Sequence, residues 1–350
     1  MKRKVLVLAL LLLYACSPQA NYVEHESAIE LMDELVEDYA FDRETLESVF
    51  EQIEHRPKII QAMKRPAETT ITWFEYRKIF IHNQRIKDGS KFLQEHKEVL
   101  ERAYEDYGVA PEIIVAIIGV ETNFGGNMGS YRVVDALATL GFDYPPRADF
   151  FRSQLREFFI LACEERISPF DSDDACERDS TSIASGQDRD ILDLVGSYAG
   201  AMGYGQFIPS SYRNFAIDYD GDGMRDIWLN IEDAIGSVAN YLAEHNWIKD
   251  GRVAEIVKVN TLSDEIEVNA TAKPSIPVSR WQELGIASDM QDTEVATLYS
   301  FAIDERDPPT IEYMLGFNNF YVITRYNRSR LYARVVNDLA LAIKNETPLN

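Results

Sequence analysis

Most of the chain repeats apolar residues at every third or fourth position, which is the period of an amphipathic helix. The segments HESAIELMDELVEDYAFD and DGSKFLQEHKEVLERAYEDYG show this period, and SRLYARVVNDLALAIKN predicts a last helix. Residues 252–280 alternate apolar and polar positions instead, as in RVAEIVKV, which predicts short strands. A helix is expected around SRWQELGI, and the later FYVIT is predicted as a strand. We therefore expect an α+β protein, mostly helical, with a small β-rich insert before the final helix.

The most apolar helical segment, within PEIIVAIIGVETNFGG, carries a carboxylate near its end. The helix is expected to begin at Pro111, a favoured first helical residue, and to end at Asn123 and the glycines that follow. Four isoleucines between them share one helical face with Glu121. An ionised carboxylate on a buried face is costly, so we expect a raised pKa, which is the property a general acid needs. The alternative is that the helix ends at Glu121 and the side chain reaches solvent.

A glycine-rich segment, GSYAGAMGYGQFIPSSY, is the second candidate for a functional site. Its glycines and alanines permit close approach of the backbone, while Ser197, Tyr204 and Gln206 place polar groups beside aromatic surface. Such a segment suits a sugar, which needs hydrogen bonds at its rim and an aromatic face beneath it. Tight packing between helices is the alternative interpretation.

The segment DYDGDGMRDIW matches the start of an EF-hand loop, whose oxygen ligands and central glycine suit Ca²⁺. The ligands that this loop offers are Asp218, Asp220, Asp222 and the carbonyl of Met224. The last EF-hand position is Leu229, which has no carboxylate, so Asp233 or its neighbour Glu232 would have to complete the site. The pattern predicts a weak, structural calcium site. The alternative is an Asp/Gly turn without metal.

Other aromatic and polar residues are weaker candidates. Tyr326, Asn327 and Tyr332 follow the predicted strand FYVIT and could line a groove. Tyr76 in WFEYRKIF and Arg147 in DYPPRADFF belong to aromatic and basic clusters that more often cover a core than bind a ligand.

The first residues, MKRKVLVLALLLLYAC, combine a basic start with an apolar run, which predicts a secretory signal peptide over residues 1–15. LYAC resembles a bacterial lipobox, which implies cleavage before Cys16 and attachment of lipid to its sulfur. Ser17 at the next position points to the outer membrane. We expect an outer-membrane lipoprotein that faces the periplasm and is held by its acyl chains. A plain signal peptide with an incidental cysteine is the alternative.

Length, charge and cysteine content limit the number of subdomains, the class of partner and the state of the thiols. A chain of 350 residues is too long for one compact core, and a formal net charge of −23 argues against nucleic acid as a partner. After acylation the chain keeps Cys163 and Cys176 in an oxidising compartment, where either a disulfide or two free thiols is possible. The acidic residues 164–193 are predicted to be a surface insertion.

In combination these motifs resemble the membrane-bound lytic murein transglycosylases of the B type. The resemblance covers roughly residues 25–345. Its carriers are WFEYRKIFI, IIGVETNFG, VVDALATLGFDYPPRADFF, GSYAGAMGYGQFIPSSY, the DYDGDG loop through DAIGSVANYL, and NFYVITRYNRSRLYA. The resemblance implies a lysozyme-like catalytic core that cleaves the β-1,4 bond between N-acetylmuramic acid and N-acetylglucosamine in peptidoglycan. It implies calcium as a structural ion and no organic cofactor.

The resemblance also implies roles for individual residues. Glu121 is the expected catalytic acid, and Ser197 and Gln206 would orient it and contact the sugar. The other expected positions along the groove are Tyr204, Tyr76, Arg147, Tyr241, Tyr326, Asn327 and Tyr332. The expected calcium ligands are Asp218, Asp220, Asp222, the Met224 carbonyl and Asp233.

Ordinary glycosidases use two carboxylates, whereas the motifs of this chain present one good candidate. If Glu121 acts first as an acid and then as a base, a 1,6-anhydro ring closes without water and the enzyme is a lyase. A lysozyme-type hydrolase and a non-catalytic, calcium-dependent wall-binding lipoprotein are the alternatives.

The expected organisation has four parts after the signal peptide, and we expect a monomer. They are an N-terminal helical subdomain (16–105), a lysozyme-like core (106–250) with the EF-hand-like loop (218–233), a β-rich subdomain (251–316) and a return to the core (317–350).

Overall fold

The computed structural model describes residues 22–64, 71–177, 187–259, 262, 266–288 and 293–347. The predicted signal peptide and Cys16 lie outside these ranges. Within them, no helix is both long and apolar enough to cross a bilayer.

Helices dominate the described residues. They are Glu26–Tyr39 (α1), Arg43–Phe50 (α2), Pro57–Met63 (α3), Trp73–Phe80 (α4), Asn83–Glu95 (α5), Lys97–Tyr107 (α6), Pro111–Thr122 (α7), Val133–Asp143 (α8), Ala148–Glu164 (α9), Pro209–Phe215 (α10), Ile231–Glu244 (α11), Val278–Glu283 (α12), Asn318–Tyr326 (α13) and Arg330–Glu346 (α14). The strands are Tyr131–Arg132 (β1), Ile167–Ser168 (β2), Gln187–Asp190 (β3), Val195–Gly196 (β4), Ala254–Val257 (β5), Ile276–Pro277 (β6), Val295–Ala302 (β7) and Ile311–Gly316 (β8).

Helix α7 is the central helix of the main core. It begins at Pro111 and is followed by Asn123 in the left-handed conformation, as the sequence predicted. Every residue from Ile113 to Val120 is buried, because α5, α6, α11 and α14 pack around the helix on several sides. The prediction that α7 has a single buried face is therefore wrong. The helix is buried on several sides, and a helix enclosed by neighbours is apolar all round.

The other helices pack around α7 in two groups. Helices α1 and α3 contact α9 and α8, respectively, whereas α4, α5 and α6 contact α7, α11 or α14. Asp135 on α8 is fully buried, and it accepts hydrogen bonds from the Glu54 amide at 2.9 Å and the Arg56 Nε at 3.0 Å. Arg132 also pairs with Asp135. The buried charge is thus compensated, as a desolvated carboxylate requires.

The β-rich insert is a four-stranded antiparallel sheet with the order β5-β8-β7-β6. Alternation along β7 separates its two faces, because Ala296 and Leu298 enter a small core of the insert while Tyr299 and Phe301 join the main core. The predictions of a strand in RVAEIVKV and of helices at SRWQELGI and at the C-terminus are confirmed.

The segment FYVIT is helical, so the prediction of a strand there is wrong. It lies within α13, where Phe320, Val322 and Ile323 are buried. Short β-branched runs have a weak preference for strands, and packing of α13 against α11, α14 and β8 overrides it.

The two cysteines left open by the sequence are joined in a disulfide between Cys163, at the end of α9, and Cys176. Both are buried. The cross-link closes the first part of the predicted acidic insertion against α9, and residues 178–186 of that insertion lie outside the described ranges.

Candidate active site

Glu121 lies in the last turn of α7 and is half-buried. Its Oε1 accepts a hydrogen bond of 2.5 Å from the Oη of Tyr332, a residue 211 positions further along the chain. Tyr332 is in the first turn of α14, where the backbone amide of Tyr332 donates to the capping side chain of Ser329. The side chain of Glu121 is therefore partly exposed to solvent and is held by a hydrogen-bond partner.

The phenol of Tyr332 stays protonated and can therefore donate a hydrogen bond at any physiological pH. Burial raises the pKa of its phenol well above the ordinary value, and the nearby negative charge of Glu121 raises it further. Tyr326 and Tyr76 are close enough to contribute in the same direction. A phenol that remains protonated at every physiological pH can hold one oxygen of the carboxylate in a constant orientation.

An aromatic wall formed by Tyr326, Tyr241 and Phe207 lies beside this pair. The ring of Tyr326 is parallel to that of Tyr332, with centroids 6.4 Å apart, and edge-on to that of Tyr241 at 4.8 Å. Phe207 packs within 5.9 Å of both other rings of the wall. Burial raises the pKa of Tyr241 to about 12, and its Oη donates to the Arg325 carbonyl at 2.7 Å, so this hydroxyl fixes α13 to α11.

Tyr76 is placed near the same site from a third direction. It lies on α4, which packs against α14, and its side chain is buried. Thr72 and Glu75 form a capping box at the start of α4, which fixes where this helix begins. The sequence alone could not distinguish this position from an ordinary core tyrosine.

The glycine-rich strip, residues 196–207, is folded onto itself by backbone hydrogen bonds. Met202 and Phe207 exchange both bonds of a bridge, at 2.9 and 3.0 Å. The Oγ of Ser197 accepts from the amides of Ala199 and Ala201 at 3.2 and 3.0 Å, which leaves its hydroxyl hydrogen out of these two bonds. Gln206 has a positive φ of 51°, and its Nε2 donates to the Gly203 carbonyl at 3.0 Å.

Thr122 ties this strip to the end of α7, and sequence reasoning missed it. Its hydroxyl lies 3.0 Å from the Tyr204 carbonyl and accepts from the Gly125 amide at 3.0 Å. A polar residue that directly follows the candidate acid was the available signal. Because Thr122 is adjacent to Glu121, these bonds hold the carboxylate and the strip in one arrangement.

Two glycines are required by close approach of aromatic rings. Gly125 has a φ of +85°, and a Cβ there would lie 2.2 Å from the ring of Tyr204. A Cβ on Gly205 would lie 2.8 Å from the Oη of Tyr326, which donates to the Gly205 carbonyl at 2.6 Å. Both tyrosines therefore pack directly on the backbone.

Two other predicted groove residues have surroundings of their own. Arg147 is exposed at the start of α9, with its guanidinium 4.2 Å from the ring centroid of Phe150 and 5.1 Å from that of Phe151. Asn327 ends α13 and lines a pocket on the side of the β-rich insert. Their contact with substrate remains a prediction.

The predicted metal loop brings three carboxylates together. Single oxygens of Asp218, Asp220 and Asp222 all lie within 4.8 Å of one another. The Asp218 carboxylate accepts from loop amides, including that of Gly223 at 2.8 Å. The Asn230 amide donates to Asp220 at 2.8 Å and lowers the pKa of that carboxyl.

Asp233 is placed differently from these three. It is fully buried in the first turn of α11, and its two oxygens accept from the amides of Tyr219 and Asp226, each at 2.7 Å. Burial raises its pKa to about 7, and the charges of Asp220 and Asp218 add to this shift. The side chain of Asp233 thus holds both ends of the loop by their backbone amides.

The comparisons with known proteins agree on one family. Residues 24–341 match the model of the Transglycosylase SLT domain. The membrane-bound lytic murein transglycosylase B of Escherichia coli (strain K12) is 36% identical over 332 residues, which are 92% of this chain and 84% of that protein.

Two solved structures have the same fold. Soluble lytic transglycosylase SltB1 from Pseudomonas aeruginosa is 45% identical with a TM-score of 0.79, over 90% of this chain and 97% of that one. Lytic transglycosylase Slt35 from Escherichia coli, solved in complex with calcium, is 35% identical with a TM-score of 0.77, over 92% of this chain and 94% of that one. The family consists of enzymes, so a non-catalytic wall-binding protein is set aside. The chain belongs to the lytic murein transglycosylases, with the mostly helical, lysozyme-like fold of that family.

Proposed function

We propose that this lytic murein transglycosylase cleaves the β-1,4 bond between N-acetylmuramic acid and N-acetylglucosamine and leaves a 1,6-anhydro ring on the muramic acid. The observation that carries the proposal is the half-buried Glu121, held through one oxygen by Tyr332 beside an aromatic wall. Phe207 and Tyr241 are buried and support Tyr326, the partly exposed ring of the wall, which suits the face of a sugar. An oriented carboxyl suits proton transfer to the bond that breaks.

Glu121 performs both proton transfers in the proposed mechanism. Its carboxyl proton passes to the glycosidic oxygen while the C1–O bond of the muramic acid breaks. The N-acetyl oxygen of the substrate supports the positive charge that develops at C1. The Glu121 carboxylate then takes the proton of the 6-hydroxyl, and that oxygen bonds to C1. The sum is an intramolecular displacement that consumes no water.

Neighbouring residues serve this carboxyl in defined ways. Tyr332 orients it, and Thr122 holds the adjacent backbone against the glycine-rich strip. Ser197 and Gln206 contact the sugar from that strip, whereas Tyr204, Tyr241, Tyr326 and Tyr76 shape the groove. Arg147 and Asn327 are assigned to more distant parts of the same groove.

Product analysis tests the reaction type. We expect purified sacculi digested by this protein to release muropeptides that are lighter by one water than the products of a lysozyme, because ring closure replaces hydrolysis. Mass spectrometry after reduction with borohydride is the measurement, since anhydro ends resist reduction. Products with reducing ends in place of anhydro ends would assign the protein to the hydrolases.

We further propose that the loop binds a structural calcium ion through Asp218, Asp220, Asp222 and the Met224 carbonyl, with Asp233 closing the site. The donor set fits a hard cation, because oxygens of three carboxylates converge within 4.8 Å of one another in this loop. Each Asp233 oxygen accepts one amide hydrogen bond and keeps a further lone pair with which it would close the coordination. The ion would supply structural stabilisation and no step of the reaction.

Calcium is expected to raise the Tm of the protein. At about 100 times the Kd, binding adds about 2.7 kcal/mol to the free energy of unfolding, which is a rise of roughly 4 °C for a chain of this size. Differential scanning fluorimetry in calcium and in chelator measures it. The variant Asp218→Asn is expected to lose the rise, and Glu305→Gln, an exposed acid elsewhere, to keep it. Equal Tm values of the wild type in calcium and chelator would contradict the site.

The location of the protein is part of the same proposal. Cleavage before Cys16 and acylation of its sulfur would hold a monomeric enzyme on the periplasmic face of the outer membrane, within reach of the murein. The membrane-bound relative in Escherichia coli supports attachment to a membrane.

A further inference from the structure

A pocket of about 680 Å³ lies between the β-rich insert and the junction of α13 with α14. The insert contributes Asn269, Ala270, Thr271 and Tyr299, and the junction contributes Thr324, Arg325, Asn327, Arg328, Ser329, Arg330 and Leu331. The junction is the segment that also carries Tyr326 and Tyr332 to the catalytic carboxylate. One segment of the chain therefore contributes to both the pocket and the proposed active site. The volume of the pocket is in the usual range for small-ligand sites.

The charge of this pocket is opposite to that of the protein. Among the described residues, its lining holds three arginines and no acidic residue, although the whole chain has 58 acidic and 35 basic residues. No acidic residue occurs in the sequence between Glu312 and Asp338. Arg334, in the same segment but outside the pocket, pairs with both of these acids. The two acids that bound this segment, Glu312 and Asp338, thus neutralise Arg334, which leaves the pocket arginines to give the pocket a positive charge.

The pocket arginines are held without an acidic partner among the described residues. Arg325 stacks 4.3 Å from the ring centroid of Tyr321, and its buried Nε has no hydrogen-bond acceptor in the described structure. Partial burial lowers the pKa of Arg330, although much of this side chain is exposed to solvent. Arg328 is exposed at the rim. Guanidinium groups arranged in this way favour carboxylate ligands, which they can bind with two hydrogen bonds.

We propose that this arginine pocket binds free carboxylates of the peptide stem that murein carries on its muramic acid. The proposal rests on the proposed function, because murein is the polymer that would bring a stem to this position. The stem is attached through the lactyl group of the sugar whose bond breaks. Asn327 follows Tyr326 in the chain and lines the pocket, so a stem that extends along Asn327 would reach the arginines. Binding there makes the enzyme prefer glycan strands that still carry anionic peptides.

The test compares three strand preparations with the full-length protein. The first carries intact stems, the second carries the same stems with their carboxylates converted to amides, and the third has lost its stems and keeps the lactyl carboxylate. The double variant Arg328→Gln/Arg330→Gln removes two charges from the pocket, and Arg280→Gln, an exposed arginine on α12, is the control. Measurements of kcat/KM and Tm are made for each protein.

On intact strands we expect kcat/KM of the double variant to fall about tenfold, since each charge-assisted hydrogen bond contributes modestly at a half-exposed site. On amidated and on stem-free strands it should match the wild type, and Arg280→Gln should match the wild type on all three.

Equal rates of wild type and double variant on intact strands would overturn the proposal. An equal loss on all three preparations would also overturn it, because the pocket would then serve the glycan or the fold. A loss confined to stem-free strands would reassign it to the lactyl carboxylate. Failure of the proposed reaction is distinguishable, since the wild type would then give no anhydro products on any preparation.

Discussion

Replacement of Glu121 by glutamine is expected to lower kcat on murein by about 10²–10⁴-fold, the usual contribution of a general acid, and by more if this residue serves both proton transfers. The amide keeps the shape of the carboxyl and an oxygen that can accept the bond from Tyr332, but it cannot give up a proton to the glycosidic oxygen. The measurement is the rate of release of soluble muropeptides from sacculi.

A matched control lies on the same helix. Glu112→Gln changes the same chemical group in the first turn of α7, where the partly buried side chain pairs with the exposed Lys344. We expect it to retain nearly full activity, because a surface ion pair contributes about 0–1 kcal/mol to stability. Both variants should keep a Tm near that of the wild type. A Glu121→Gln protein that digests sacculi at the wild-type rate would refute the mechanism.

The second large effect is expected at Tyr332. Tyr332→Phe removes the hydroxyl that holds Glu121, and a hydrogen bond to a charged group is worth about 1.5–3 kcal/mol. We expect kcat to fall roughly 10- to 100-fold while KM changes little, because the ring remains parallel to that of Tyr326 and only the orientation of the carboxyl is lost.

Two comparisons separate positioning from loss of structure. Tyr104→Phe removes a similar phenol–carboxylate bond, to Asp250 at the surface, and should leave kcat unchanged. In a Glu121→Gln background, Tyr332→Phe should cause almost no further loss, since two residues that act through one group are not additive. An additive loss in the double variant, or a Tyr332→Phe effect on KM alone, would show that Tyr332 acts independently of Glu121.

The sequence alone predicted much of the local structure. Short-range rules were sufficient for α7, because proline at the start and a left-handed asparagine at the end are local signals. The alternating aspartates of residues 218–222 likewise predicted a cluster of carboxylates, and the structure brings all three together. These features involve residues separated by a few positions, whose relative placement is limited by backbone geometry.

Predictions were less accurate where packing decides the outcome. The segment FYVIT is helical because α13 is surrounded by buried partners, and α7 is enclosed on several sides and not on one. Asp233 was expected to complete the calcium ligands, and its role as a ligand remains a prediction, but its oxygens are engaged by the backbone amides of the loop ends.

By itself the sequence determined that an acidic side chain would end a buried helix, and the motifs along the chain identified the family. Only the tertiary structure decided what holds that side chain, since Tyr332 reaches Glu121 across 211 positions and Thr122 links it to Tyr204, 82 positions further along the chain. It also placed three arginines of one junction, which have no acidic partner among the described residues, beside the β-rich insert. Contacts of this kind depend on how helices and sheets pack, and no periodicity within a single segment encodes them.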